Sequence, residues 1–229
     1  MDRAKLVIDA AFRFYKRLME DPNGRFRSWE HCYKRFYNVR ISQNGNIDYD
    51  NLSLHLAFYL ASWGMYRGSS FLLQKDYRVH VPVVKILLKK QYKCLYDLNC
   101  IELRKTEIMN KLKDLETSIK NEYAVIRKSV KETDVQKDVS DTLITKILMG
   151  TLGCVPAYDR YFVDGVKALK VTTGTYSKES LLRLVDFYKE NQDRFEEARK
   201  EFWIGNLQYP QMKVLDMGFW QYGLEHHKD

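Results

Sequence analysis

Residues 102–130 read ELRKTEIMNKLKDLETSIKNEYAVIRKSV, and this stretch decides the fold class. Its apolar side chains recur every three or four residues, which is the spacing of one face of an α-helix. These side chains are Ile108, Leu112, Leu115, Ile119, Tyr123, Ile126 and Val130. The sequence therefore predicts a long helix whose apolar stripe packs along its own domain. The alternative is a stripe that packs against a partner helix, which would give a homodimer through residues 102–130.

Apolar residues at helical spacing also mark most of the remaining chain. Further helices are predicted over residues 4–20, 50–63, 79–98 and 178–202, and connections over residues 41–50 and 131–137. No segment alternates apolar and polar residues as a convincing strand would. The predicted fold is therefore an all-α, orthogonal multi-helix domain covering residues 1–229. Two lobes, 1–131 and 132–229, are the alternative organisation.

The positive charge is concentrated in the first part of the chain. The formal net charge of +8 is the sum of +11 over residues 1–131 and −3 over residues 132–229. A basic region attracts polyanions such as nucleic acid. Lys85, Lys89 and Lys93 supply a basic side to one of the predicted helices. The alternative is that these lysines only solvate a helix face.

Several classes of protein are disfavoured by what the sequence lacks. The N-terminus has no secretory-signal pattern, and the longest apolar runs are too short to span a bilayer. The four cysteines form no CxxC pair, and the five histidines have no metal-ligand spacing. No P-loop, GxSxG, HExxH or GxGxxG motif is present. We therefore expect a cytoplasmic protein with no membrane partner, no metal site and no cofactor.

One stretch carries residues suited to catalysis. Residues 140–166 read SDTLITKILMGTLGCVPAYDRYFVDGV, which is an apolar helix, a Gly-containing turn and an aspartate, Asp159, at the start of a second helix. An aspartate at a helix N-cap accepts backbone N–H bonds and faces the positive end of the helix dipole. Its ionised carboxylate, if placed beside a cleft, can stabilise a developing cation or activate a water molecule. The alternative is that Asp159 serves only as a cap.

This order of elements resembles the helix-hairpin-helix DNA glycosylase superfamily, in which an apolar helix and a small turn precede a Val-Asp type motif. The resemblance implies an all-helical fold, DNA rather than RNA as the partner, and Asp159 as the carboxylate that acts on an N-glycosidic bond. The family's Gly-x-Gly hairpin turn is replaced here by Asp138-Val139-Ser140-Asp141. Asp141 and Thr142 stand where bifunctional members have a nucleophilic lysine, and Lys146 lies a full turn later.

The resemblance also implies side chains that hold DNA around a flipped base. The predicted nucleic-acid contacts are Arg67, Lys85, Lys89, Lys93, Lys146 and Arg160, and the predicted stacking residues are Trp63, Tyr158 and Tyr161. Lys146 is interpreted as a residue of a solvated helix face. The segment WGMYRGSS at residues 63–70 places two glycines and two serines around Arg67, which suits a phosphate. A tight turn between helices is the alternative for this segment.

Three functional hypotheses follow. The first is a DNA-binding protein on a glycosylase-like scaffold, with base excision by Asp159. The second is a non-catalytic helical protein that binds nucleic acid or a protein through a basic stripe along residues 85–128. The third is another class of enzyme, for which the sequence supplies no motif. The first hypothesis predicts that Asp159 lines a cleft facing basic side chains.

Overall fold

The computed structural model of the protein describes residues 1–42, 46–131 and 138–227. Across these ranges the fold is all-α, as predicted. The helices are α1 Arg3–Glu20, α2 Arg27–Ile41, α3 Tyr49–Ser62, α4 Val81–Leu87, α5 Thr106–Lys128, α6 Asp141–Thr151, α7 Arg160–Ala168, α8 Lys178–Glu190, α9 Gln192–Arg199 and α10 Gln211–His226. Short 3-10 helices occupy Phe71–Gln74, Tyr77–His80, Lys90–Leu95 and Cys100–Arg104. Two antiparallel strands, β1 Trp203–Ile204 and β2 Leu207–Gln208, have two residues each.

Helix α5 is the long helix predicted from the apolar stripe. Leu112, Leu115, Ile119 and Tyr123 on that stripe are buried within the chain. Ile108 and Ile126 on the same stripe are partly buried. The stripe therefore packs along its own domain, as predicted, and a homodimer through residues 102–130 stays a prediction without support from this packing.

Two predicted helices are broken, one because of core packing and one because of a local side-chain contact. The predicted helix over residues 79–98 ends at Leu87 and is followed by a 3-10 helix. Val83 and Tyr92 are nine residues apart and would face opposite sides of one continuous helix, whereas the break lets both enter the core. The predicted helix over residues 178–202 is interrupted at Asn191, whose side-chain amide donates to the Phe187 carbonyl at 2.9 Å.

Helix α10 forms the centre of the packing around the later site. Twelve of its sixteen residues are buried, and it lies against α1 and α7. A Cβ atom added at Gly223 would overlap the Tyr161 carbonyl oxygen, and one at Gly165 would overlap that of Phe219. Glycine at these two positions is therefore required for the close approach of α7 to α10, which brings Tyr161 against Trp220.

One hydrophobic cluster contains buried side chains from all ten α-helices of the described residues, from Ala4 to Trp220. Residues on both sides of the predicted lobe boundary at 131 and 132 thus share a core. Residues 43–45 and 132–137, which belong to the two predicted connections, lie outside the described residues. Within the described part of the chain, no helix combines the length and the apolar character needed to cross a membrane.

Candidate functional site

Lys146 is buried, contrary to its interpretation as a solvated residue that contacts nucleic acid. Nine of the eleven residues of α6 are buried, so this helix has no solvent face from which a lysine could extend. The Lys146 side chain is 2 % exposed, and its Nζ donates to Oδ2 of Asp159 at 2.7 Å. Lys146 is therefore the ion-pair partner of Asp159.

Asp159 has two structural roles at once. It is the N-cap of α7, where its Oδ1 accepts the Phe162 N–H at 3.3 Å, as the sequence predicted. Its other carboxylate oxygen meets Lys146, and its side chain remains 15 % exposed. Asp159 also lines a cavity, so the cap and the ion pair lie together at a cavity wall.

The cavity at Asp159 has a volume of about 310 Å³, and we call it the Lys–Asp cavity. It brings together six of the residues selected from sequence, which are Trp63, Arg67, Lys146, Asp159, Arg160 and Tyr161. Arg25 and Trp220 also line it and were not selected. The two segments singled out in the sequence, residues 63–70 and 140–166, therefore meet at one place in the fold.

Aromatic rings form the walls of the Lys–Asp cavity. The Trp63 and Trp220 rings lie 5.6 Å apart between centroids, and the Tyr161 and Trp220 rings 5.4 Å apart, both in edge-to-face contact. Arg25 and Arg67 add two exposed guanidinium groups to the lining. The cavity thus combines flat apolar walls with cationic side chains at its rim.

The loop that carries Arg67 is fixed from beneath by a buried histidine. Tyr66 Oη lies 2.6 Å from Nε2 of His80, and Nδ1 of His80 lies 2.6 Å from Oη of Tyr123 on α5. Burial lowers the pKa of His80 to about 3, so the ring is neutral in this network. Gly64 has a positive φ of 78°, and the Arg67 side chain packs over it. This loop is therefore a tight turn and also a wall of the cavity.

Four of the residues selected from sequence do not line the Lys–Asp cavity. Lys85, Lys89 and Lys93 are exposed elsewhere, with Lys85 Nζ 5.5 Å from the centre of the Tyr49 ring. Tyr158 is only 4 % exposed, and its hydroxyl lies 3.0 Å from Oγ of Ser180. The prediction that Tyr158 stacks on a base is therefore wrong, because its ring belongs to the core.

A second buried ion pair, which sequence reasoning missed, lies behind the cavity wall. Lys213 Nζ donates to Oδ2 of Asp216 at 2.7 Å, and the two side chains are 3 % and 7 % exposed. Oδ1 of Asp216 accepts the N–H of Ala157, two residues before Asp159. Lys213 Nζ also lies 5.6 Å from the centre of the Trp63 ring. The sequence does contain a signal for this pair, because Lys213 and Asp216 stand in a helical segment whose neighbouring residues are mostly apolar on every side.

The fold and the site together define an all-α protein in which a buried lysine–aspartate pair opens on an aromatic cavity. Among the described residues, no group of three or more His, Cys, Asp or Glu side chains is placed to hold a metal ion. Comparison of the chain with protein-family models, with curated proteins and with solved structures found no match.

Proposed function

We propose that the protein binds DNA and removes a base that is flipped into the Lys–Asp cavity. The observation that carries this proposal is the Lys146–Asp159 pair, which is buried and yet open to a cavity with aromatic walls. Buried ionisable groups at a cavity are the usual setting for acid–base and electrostatic catalysis. The resemblance of residues 140–166 to DNA glycosylases supports the same reaction class.

Asp159 is the residue we expect to act on the sugar. As the bond between C1′ and the base nitrogen breaks, its electron pair leaves with the base and positive charge develops on the sugar. The Asp159 carboxylate stabilises that charge, a water molecule then adds to C1′, and the proton that the water loses passes to the departing base, which leaves neutral. The Lys146 ammonium group holds the carboxylate in place and offers a hydrogen bond to the negative charge on the departing base.

The remaining lining residues fit the binding step. Trp63 and Tyr161 present rings against which a flipped base can stack. Arg25, Arg67 and Arg160 lie around them and can pair with backbone phosphates. The lysines at 85, 89 and 93 lie outside this arrangement, so we assign them no part in holding the base.

The alternative, non-catalytic binding through the long helix, has less support. Helix α5 carries five basic and four acidic side chains, a net charge of +1. One of its lysines, Lys120, is paired with Asp141 on α6 at 2.6 Å. A polyanion would therefore meet mixed charge along this helix.

The test is excision of damaged bases from DNA duplexes by the wild-type protein and by Asp159→Asn. Asparagine keeps the helix cap and removes the charge, so the variant should not cleave. It also leaves the buried Lys146 without its counter-ion, so its folding is verified by circular dichroism before activity is compared. Asp48→Asn is the matched control, because Asp48 caps α3 in the same way and does not line the cavity. We expect activity in the wild type and in Asp48→Asn, and its loss in Asp159→Asn. Equal activity in all three proteins, or activity in none, would overturn the proposal.

A further inference from the structure

We infer that the Lys–Asp cavity selects an electrically neutral base and rejects a cationic one, such as an N-alkylated purine that carries a fixed positive charge. The inference rests on the proposed function and names the substrate class of the same site. It depends on where the cations of this protein lie relative to the aromatic walls.

The Trp63 ring already has two ammonium groups close to it. Lys146 Nζ lies 4.9 Å from the centre of the ring, and Lys213 Nζ lies 5.6 Å from it. Both distances are within the range of a cation–π interaction, about 6 Å. A cationic base stacked on this ring would lie close to two positive charges, each of which is held in place by its own aspartate.

The other two aromatic side chains that line the cavity, Trp220 and Tyr161, also have a protein cation close to the ring. The Arg17 guanidinium carbon lies 5.9 Å from the centre of the Trp220 ring. That of Arg160 lies 5.9 Å from the centre of the Tyr161 ring. Each aromatic side chain that lines the cavity therefore already has a protein cation within about 6 Å of its ring centre, so a cationic base stacked on its open face would meet a ring that already interacts with a positive charge.

The charge of the lining points in the same direction. Four cationic side chains and one carboxylate line the described cavity, a net charge of +3. The single carboxylate, Asp159, is already paired with Lys146, which leaves the charges of Arg25, Arg67 and Arg160 uncompensated within the lining. This arrangement attracts phosphates and repels a positive base, which is specificity by an unfavourable interaction with the wrong ligand.

The test compares the binding of three labelled DNA duplexes to the full-length protein by fluorescence anisotropy. One duplex is fully paired, one carries an unpaired adenine, and one carries an unpaired 1-methyladenine, which is cationic at neutral pH. We expect the neutral unpaired base to bind more tightly than the cationic one by about tenfold, because the rim cations repel a positive base.

Two variants test whether the cavity causes the discrimination. Arg67→Gln removes one rim cation and should reduce the ratio of the two affinities. Arg183→Gln removes the same charge from an exposed position on α8, paired with Glu179 and outside the cavity, and should leave the ratio unchanged.

The outcomes separate this inference from the proposed function. If both unpaired bases bind better than the paired duplex but the cationic one binds as well as the neutral one, the inference is wrong and DNA binding at an unpaired base stands. An equal fall of the ratio in both variants would also overturn it, because overall charge would then be the cause. If neither unpaired base improves binding over the paired duplex, the proposed function fails and the inference fails with it.

Discussion

The two buried lysine–aspartate pairs of this protein have the same chemistry and different surroundings. In both pairs the lysine Nζ lies 2.7 Å from a carboxylate oxygen, and both lysines are nearly inaccessible to solvent. Asp159 opens on the Lys–Asp cavity, whereas Asp216 is sealed and binds the backbone N–H of Ala157. We refer to Lys146–Asp159 as the open pair and to Lys213–Asp216 as the sealed pair.

The difference shows that a buried ion pair is not by itself a functional site. Removing two charges from water costs free energy that their attraction roughly offsets, so neither pair is explained by stability alone. The sealed pair holds Ala157, two residues before Asp159, and thereby fixes the segment that delivers the carboxylate of the open pair. The sealed pair has an architectural role, and access from the cavity is what makes the open pair a candidate for chemistry.

The largest expected effect is on the sealed pair. Lys213→Met leaves Asp216 buried without its counter-ion, which should lower the free energy of unfolding by about 3–5 kcal/mol. Urea denaturation measures this change. The double variant Lys213→Met/Asp216→Asn removes both charges and retains an acceptor for the Ala157 N–H, so it should recover most of the loss. A double variant as unstable as the single one would show that the unpaired charge is not the cause.

The open pair should be less sensitive to the same substitution. In Lys146→Met, the Asp159 carboxylate keeps the Phe162 N–H and its access to the cavity, so we expect a loss of about 2 kcal/mol. The measurement is again urea denaturation, with Lys213→Met as the reference. A loss as large as that of Lys213→Met would mean that the cavity does not solvate Asp159 and that the two pairs are alike.

The open pair shows which features could be predicted from the sequence and which could not. Helical periodicity predicted the all-α fold and the burial of one side of α5, because the 3.6-residue period is a local property. The sequence also placed Asp159 at a helix start, because a cap needs only neighbouring residues. The charge of Lys146 predicts a solvated face, but the apolar residues on every side of α6 leave this helix without one.

Other features depend on contacts between distant parts of the chain, which a single sequence does not contain. The pairing of Asp216 with the backbone at Ala157, and the packing of Trp220 against Trp63, join α10 to segments far away in sequence. Tyr158 and Tyr161 are equivalent aromatic residues in the sequence. Tyr158 enters the core beside Ser180 on α8, whereas Tyr161 packs against Trp220 on α10 and lines the cavity.

The smallest expected effect comes from His80, a buried ionisable group that has no counter-charge among the described residues. The pKa of His80 falls from its ordinary value of 6.5 to about 3 on burial, so the unfolded chain takes up a proton below pH 6.5 while the folded protein does not. Stability from this group is therefore complete above pH 6.5 and is lost as the pH falls, by about 1.4 kcal/mol for each pH unit between these two values. Each ion pair contains its own counter-charge, whereas the hydrogen-bond partners of His80 are the hydroxyl groups of two tyrosines. Unfolding measured between pH 6.5 and 5 in the wild type and in His80→Gln tests this pH dependence of the free energy of unfolding, and the variant should show the flatter one.

A smaller slope should remain from His55, whose pKa is also lowered by partial burial and then by Arg35. An unchanged slope in His80→Gln would assign the acid sensitivity to groups other than His80.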